Sequence, residues 1–175
     1  QQLGPHPAML NLPTDHPGPP LHPGRGAHEF MLLPEALSEA LDTLSRREGV
    51  TLFMTLLAAF ATLLYRYSDQ DNIIIGSPIS GRNRVELEDL IGFFVNTLAL
   101  RIDLTGEPTF LEVLSRTRQV ALEAYAHQDL PFEKLVAELQ PDRHASHTPL
   151  FQVAFQFIHA PVATSEFAGL RIDTY

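Results

Sequence analysis

Residues 91–104 read Ile91-Gly92-Phe93-Phe94-Val95-Asn96-Thr97-Leu98-Ala99-Leu100-Arg101-Ile102-Asp103-Leu104. The second half of this stretch has a period of two. Leu98, Leu100, Ile102 and Leu104 face one way, and Thr97, Ala99, Arg101 and Asp103 face the other. Side chains alternate sides along a β-strand, so this is a strand with one apolar face. Asn96 shares the parity of that face. A buried amide needs partners or costs roughly 1 to 3 kcal/mol, so Asn96 is expected to staple a neighbouring loop. Upstream, Ile73-Ile74-Ile75 is a β-branched run ended by Gly76, which reads as a strand buried on both faces. Gly76-Ser77-Pro78 and Ser80-Gly81 predict that the segment between the two strands is a loop.

Helix signals surround this pair. Pro34 and Glu35 open a helix, Leu33, Leu37, Leu41 and Leu44 give it an apolar stripe, and Arg46, Arg47 and Gly49 close it. Thr51 caps a second helix over about 52–67 that is apolar on nearly every side and is expected to be buried on most faces. Thr109 and Glu112 form a capping box for a helix running to about Ala126. Asp129 and Pro131 start another that ends near Leu139, with Asp129 as its cap and Gln128 holding the turn before it. His28–Leu33 reads as a short strand. Residues 149–158 alternate again, with Phe151, Val153, Phe155 and Phe157 on one face. Leu170, Ile172 and Thr174 suggest a last strand pairing with that one. The expected unit is α/β and layered, with about five strands and four helices.

The first 26 residues differ. They hold seven prolines and five large apolar side chains, too few to offset the entropy of ordering them, so they are expected to lie on a surface supplied by other residues or to stay disordered. The remaining residues, 27–175, form the folded lobe. With no cysteine, disulfides and thiolate metal sites are excluded. A net charge of −9 repels phosphate backbones and argues against nucleic acid. The longest apolar run, Leu52 to Tyr65, is shorter than the ~20 residues a membrane span needs. Gln1 is not followed by a basic and then an apolar stretch, so no secretion signal is expected, and the expected location is the cytoplasm.

Three segments carry a family resemblance: Ile91-Gly92-Phe93-Phe94-Val95-Asn96-Thr97, His127-Gln128-Asp129-Leu130-Pro131-Phe132-Glu133, and Arg143-His144-Ala145-Ser146-His147-Thr148-Pro149-Leu150. In order and spacing they resemble the last three signature motifs of the condensation domains of nonribosomal peptide synthetases. Leu12-Pro13-Thr14-Asp15 resembles the family's linker, and Gly76-Ser77-Pro78 through Gly81-Arg82 its turn. The resemblance implies a chloramphenicol-acetyltransferase-like lobe, the C-terminal half of a V-shaped domain, cut short at its end. It also implies that residues 1–26 are a linker running along the other lobe. The activity implied is acyl transfer: an acceptor amine attacks a donor thioester across a tunnel between the lobes and forms an amide. The implied partners are the N-terminal lobe, donor and acceptor peptidyl carrier domains and an adjacent adenylation domain. No cofactor is expected to bind directly, because the carriers present 4'-phosphopantetheine. The family's H-H-x-x-x-D-G motif is absent, since no two of the eight histidines are adjacent. The catalytic centre is therefore expected upstream of Gln1, and this chain alone is expected to be inactive. No catalytic residue is assigned within it.

On this resemblance the candidate residues for the tunnel and the pantetheine arm are Ser77, Arg82, Asn96, Thr97 and Arg101. Asn96 either staples a loop or bonds the arm. Arg101 either pairs with Asp103 or another acid on an adjacent strand, which is the favoured reading, or holds the arm's phosphate. His127, Gln128, Asp129, Pro131, Phe132, Glu133, Arg143 and Pro149 are read as structural motif residues. His127 with Asp129 looks like an acid/base pair, but a helix cap explains Asp129 better. His144 and His147 have H-x-x-H spacing without a third ligand, and no metal site is assigned. No nucleophile elbow, P-loop or Rossmann fingerprint occurs. The alternatives are a non-catalytic carrier-docking module, or a related epimerisation, heterocyclisation or ester-forming domain. An isolated lobe is also expected to expose the apolar surface that meets its partner, and so to associate.

Overall fold

A computed structural model describes residues 3, 9–14, 26–82, 84–139 and 149–158, together with the backbone of 165–167 and 170–172. Four helices form where capping and periodicity place them: α1 (Glu35–Arg47), α2 (Leu52–Ser68), α3 (Phe110–Ala126) and α4 (Phe132–Leu139). Thr51 Oγ1 accepts the Met54 N–H at 3.2 Å and caps α2. Both halves of the Thr109/Glu112 box are made at the start of α3. Gly49, at φ +65°, follows the end of α1.

The sheet is built on β1 (Asn72–Ile79) and β2 (Asn96–Asp103), antiparallel from Asn72↔Asp103 to Ile79↔Asn96. This register sets Ile73 opposite Ile102 and Ile75 opposite Leu100. These four are fully buried beneath Leu57, Ala58, Ala61 and Leu64 of α2 and Val113 and Leu114 of α3. Each such side chain contributes about 1.5 to 3 kcal/mol relative to exposure. The expected alternation along β2 and the burial of β1 on both faces are both present. α2 is less enclosed than expected, since Leu63 and Tyr67 remain exposed on its outer side. The α1 stripe closes onto the core only toward its C-terminal end, where the buried Ser45 hydroxyl bonds that of Thr55 at 2.7 Å.

Four expectations about strands are corrected. Gly76-Ser77-Pro78 continues β1 rather than turning away. The missing Pro78 N–H is tolerated because the second neighbour of β1, β3 (Val153–Ala154), lies opposite only Ile75 and Gly76. The same proline explains why the strand expected over 149–158 shrinks to β3. After Phe155 N–H donates to Gly76 O at 2.8 Å, the next rung of a parallel ladder needs an N–H at position 78. Residues 28–33 form no strand, because among the described residues no sheet edge lies beside them to pair with, and Phe30, Met31 and Leu32 are exposed. The last strand, β5 (Leu170–Ile172), pairs antiparallel with β4 (Ser165–Phe167) instead of with β3. Only two residues separate β4 from β5, the shortest connection an antiparallel pair allows. The large sheet therefore has the order β2-β1-β3.

Leu100→Ala is expected to lower the unfolding free energy by about 2 to 5 kcal/mol. Leu111→Ala on the exposed side of α3 should change it by less than ~0.5 kcal/mol. Urea denaturation followed by circular dichroism measures both, and equal small losses would move the core elsewhere. Asp103, at the end of β2, accepts the hydroxyl and the N–H of Thr105, and these hold its carboxyl below the usual range. Slight burial opposes the shift, and Arg116 and then Arg101 add to it. A carboxyl depressed in the fold adds stability that is complete above its unfolded-state pKa of ~4 and is lost as pH falls through the folded value. Asp103→Asn should therefore flatten the acid limb of the stability–pH curve.

Candidate functional site

The loop between β1 and β2, the start of β2 and the turn from α3 to α4 meet at Asn96. Its side-chain Nδ2 donates to Gln128 O and to Leu130 O, each at 2.8 Å. Its Oδ1 accepts the N–H of Phe132 at 3.0 Å and of Thr97 at 2.9 Å. Both amide hydrogens and both oxygen lone pairs are used, which is the full capacity of this side chain. Asn96 thus receives the first N–H of α4. Pro131 precedes that position and has no N–H to offer. His127 terminates α3, with Nδ1 2.9 Å from Glu123 O and its backbone N–H on Ala124 O. Gln128 N–H returns to Tyr125 O, and Leu130 N–H to His127 O. Glu133 is exposed in the first turn of α4.

Phe132 packs its ring 5.5 Å from that of Phe151. The Phe151 ring in turn fills the place where a side chain at Gly76 would be, so any Cβ there would overlap it. Pro149 is half-buried and leads into the buried Leu150, whose φ of +72° is unusual for a non-glycine residue and aims the chain toward β3. Arg143, His144 and His147 lie outside the described residues.

The other candidates are dispersed. Ser77 is 3% exposed and faces the core opposite Leu98. Arg101 Nε and Nη2 lie 3.0 and 2.6 Å from Asn72 Oδ1 on the neighbouring strand. Asp103 is approached by Arg116 at 3.9 Å. The Arg82 guanidinium sits 4.4 Å over the Phe94 ring and donates to the carbonyls of Leu87, Glu88 and Gly92. Thr97 alone of the five lines a pocket of about 490 Å³ at the outer edge of β2, with Ala99, His127, Leu130, Leu135 and Leu139. Among the described residues no three metal-ligating side chains cluster, and no single helix is long and apolar enough to cross a membrane.

Two glutamines that the sequence reading passed over hold the N-terminal segment. Gln70 accepts the Asn11 N–H at 2.6 Å and donates to Met9 O at 2.9 Å, while Gln152 accepts the Leu10 N–H at 2.7 Å. Residues 9–11 therefore touch this lobe, and Leu10 packs against the core. Each glutamine is a side chain of ordinary polarity, and nothing in the local pattern marks its distant partner.

Asn96→Ala strips partners from three backbone groups of the α3–α4 turn and should lower stability by about 1 to 3 kcal/mol. Asn96→Asp keeps the shape but presents a carboxylate to two carbonyls, and should do no better at neutral pH. Denaturation curves and the rate of proteolysis at residues 127–131 check both. A turn unaffected by either change would mean that the amide does not hold it.

Comparison with known proteins agrees with this architecture. Residues 1–170 match the family model described as Condensation domain. The chain is 57% identical over 172 residues to a linear gramicidin synthase of Brevibacillus parabrevis, covering 98% of this chain and 2% of that protein. It superposes on the crystal structure of a four-domain nonribosomal peptide synthetase bound to AMP and glycine with a TM-score of 0.84 at 24% identity, covering 94% of this chain and 13% of the other. On the X-domain from teicoplanin biosynthesis the TM-score is 0.76 at 32% identity, covering 83% and 32%. The chain thus spans a small part of each of these proteins, and over nearly its whole length it belongs to the condensation-domain family of nonribosomal peptide synthetases.

Proposed function

We propose that this chain supplies one lobe of a domain that forms amide bonds between carrier-bound acyl groups. The observation that carries the reading is the match to the condensation-domain family over residues 1–170, together with two of its motif segments folded around the single Asn96 hub. In the reaction the acceptor amine nitrogen attacks the thioester carbonyl of the donor. The new C–N bond forms, the C–S bond breaks, the thiol leaves on the donor's pantetheine arm, and the amine proton passes to the thiolate. No two histidines are adjacent in these 175 residues, so the group that orients or deprotonates the amine comes from the other lobe. The partners are that lobe, the donor and acceptor carrier domains with their 4'-phosphopantetheine arms, and a neighbouring adenylation domain. Within this lobe the polar motif side chains shape the wall: Asn96 the α3–α4 turn, Arg82 the β1–β2 loop and Arg101 the β1–β2 pair.

The test is single-turnover condensation by the whole domain, with donor and acceptor carriers loaded separately and the dipeptidyl thioester read by intact-protein mass spectrometry. Product with the whole domain and none with this chain alone is expected. A folded whole domain that leaves both carriers unchanged would overturn the proposal.

A further inference from the structure

Three consecutive residues of the N-terminal segment are held through their backbone. Gln70 Oε1 accepts the Asn11 N–H at 2.6 Å, and its Nε2 donates to Met9 O at 2.9 Å. These two bonds flank Leu10. In a parallel β-ladder a residue donates to the carbonyl before, and accepts from the N–H after, the residue opposite it. The Gln70 amide makes the same pair, so one side chain stands in for a neighbouring strand. Gln152 Oε1 accepts the N–H between them, that of Leu10, at 2.7 Å. Gln70 lies between α2 and β1 and Gln152 just before β3, so the slot joins two parts of the fold that are far apart in sequence. The Leu10 side chain packs against the core, while Met9 and Leu12 stay exposed. Backbone bonds of this kind hold an extended segment, and the one buried side chain selects which residue fills the slot. A slip of one residue sends each N–H to the wrong edge. A slip of two toward Leu12 brings Pro13, which has no N–H, to Gln70. A slip of two the other way brings the small Ala8 to the place of Leu10. Only the register centred on Leu10 satisfies both glutamines and the core.

We propose that Gln70 and Gln152 are positioning residues: they clamp Met9–Asn11 as a strap in one register, and so fix the point at which the remainder of the domain is tethered to this lobe for acyl transfer. The proposal rests on the reading of this chain as one lobe of a larger domain. Leu12-Pro13-Thr14-Asp15, which follows the strap directly, is the segment that resembles the family's linker. A strand rises ~3.3 Å per residue, so a strap slipped by two residues would move the tether by roughly 7 Å. Group transfer between two bound partners tolerates far less, since a misplacement of ~1 Å costs about 100-fold in rate.

The two glutamines should respond differently to the same change. The strap uses Gln152 as an acceptor, which a carboxylate replaces, whereas Gln70 also donates, and a carboxylate there would face the Met9 carbonyl. In the whole domain, hydrogen exchange read by residue-resolved mass spectrometry should find the Leu10 and Asn11 amides at least about tenfold slower than in a peptide of residues 7–14. Gln70→Glu should remove that protection and slow single-turnover condensation at saturating carrier by about tenfold, with the half-saturating carrier concentration unchanged. Gln152→Glu should keep both protection and rate, and Gln152→Leu should lose both. Gln70→Ala is the second variant, should Gln70→Glu fail to fold. Amides that exchange as fast as in the peptide would overturn the strap. Equal losses in Gln70→Glu and Gln152→Glu would overturn the slot that reads donor and acceptor separately. Lost protection with an unchanged rate would remove the positioning role, as would a rate that merely follows the melting temperature through every variant. Exchange is independent of turnover, so a wild-type domain with protected amides and no product would defeat the proposed function and leave the clamped strap standing.

Discussion

The antiparallel ladder between β1 and β2 is the constraint on which the rest depends. Its register sets Ile73 and Ile75 against Ile102 and Leu100 under α2 and α3. A slip of one residue would turn Leu98, Leu100 and Ile102 away from the helices, so the apolar burial holds the register as firmly as the hydrogen bonds do. The same register sets Gly76 opposite Ala99, two small residues side by side on the other face. That pair leaves the space that the Phe151 ring enters, and Phe151 carries Phe132 and the start of α4 with it. It also places Asn96 at the end of the ladder, opposite Ile79, where the amide can reach out to the α3–α4 turn.

Much of this was legible in the sequence because its causes are local. Period two at 98–104, the Thr109/Glu112 box and the Thr51 cap each lie within one element and decide its type and limits. What stayed hidden depends on partners far along the chain. The oxygen that receives the Phe132 N–H comes from Asn96, 36 positions away. Gly76-Ser77-Pro78 has the composition of a turn, but a glycine that admits an aromatic ring and a proline beside a sheet edge both belong in a strand. Residues 28–33 have the composition of a strand and lack the neighbouring edge that would make them one. The proline-rich start has the composition of a linker, and the side chains that hold residues 9–11, Gln70 and Gln152, lie far along the chain.

The candidate site was legible as a set of positions, and less so in what each position does. Asn96, Arg82, Gln70 and Gln152 share a property that composition cannot reveal: their partners are largely backbone N–H and carbonyl groups. A backbone group is present whatever side chain it carries. A side chain that recognises backbone therefore fixes the path of a loop while leaving the loop's own residues free to differ. Asn96 fixes the α3–α4 turn in this way, and Arg82 fixes the β1–β2 loop. The two act at opposite ends of Ile91–Leu98, the stretch in which Ile91 and Phe93 are exposed while Leu98 begins the buried face. The shape of one loop and one turn is thus set by two side chains that bind backbone, whatever residues the loop and the turn carry.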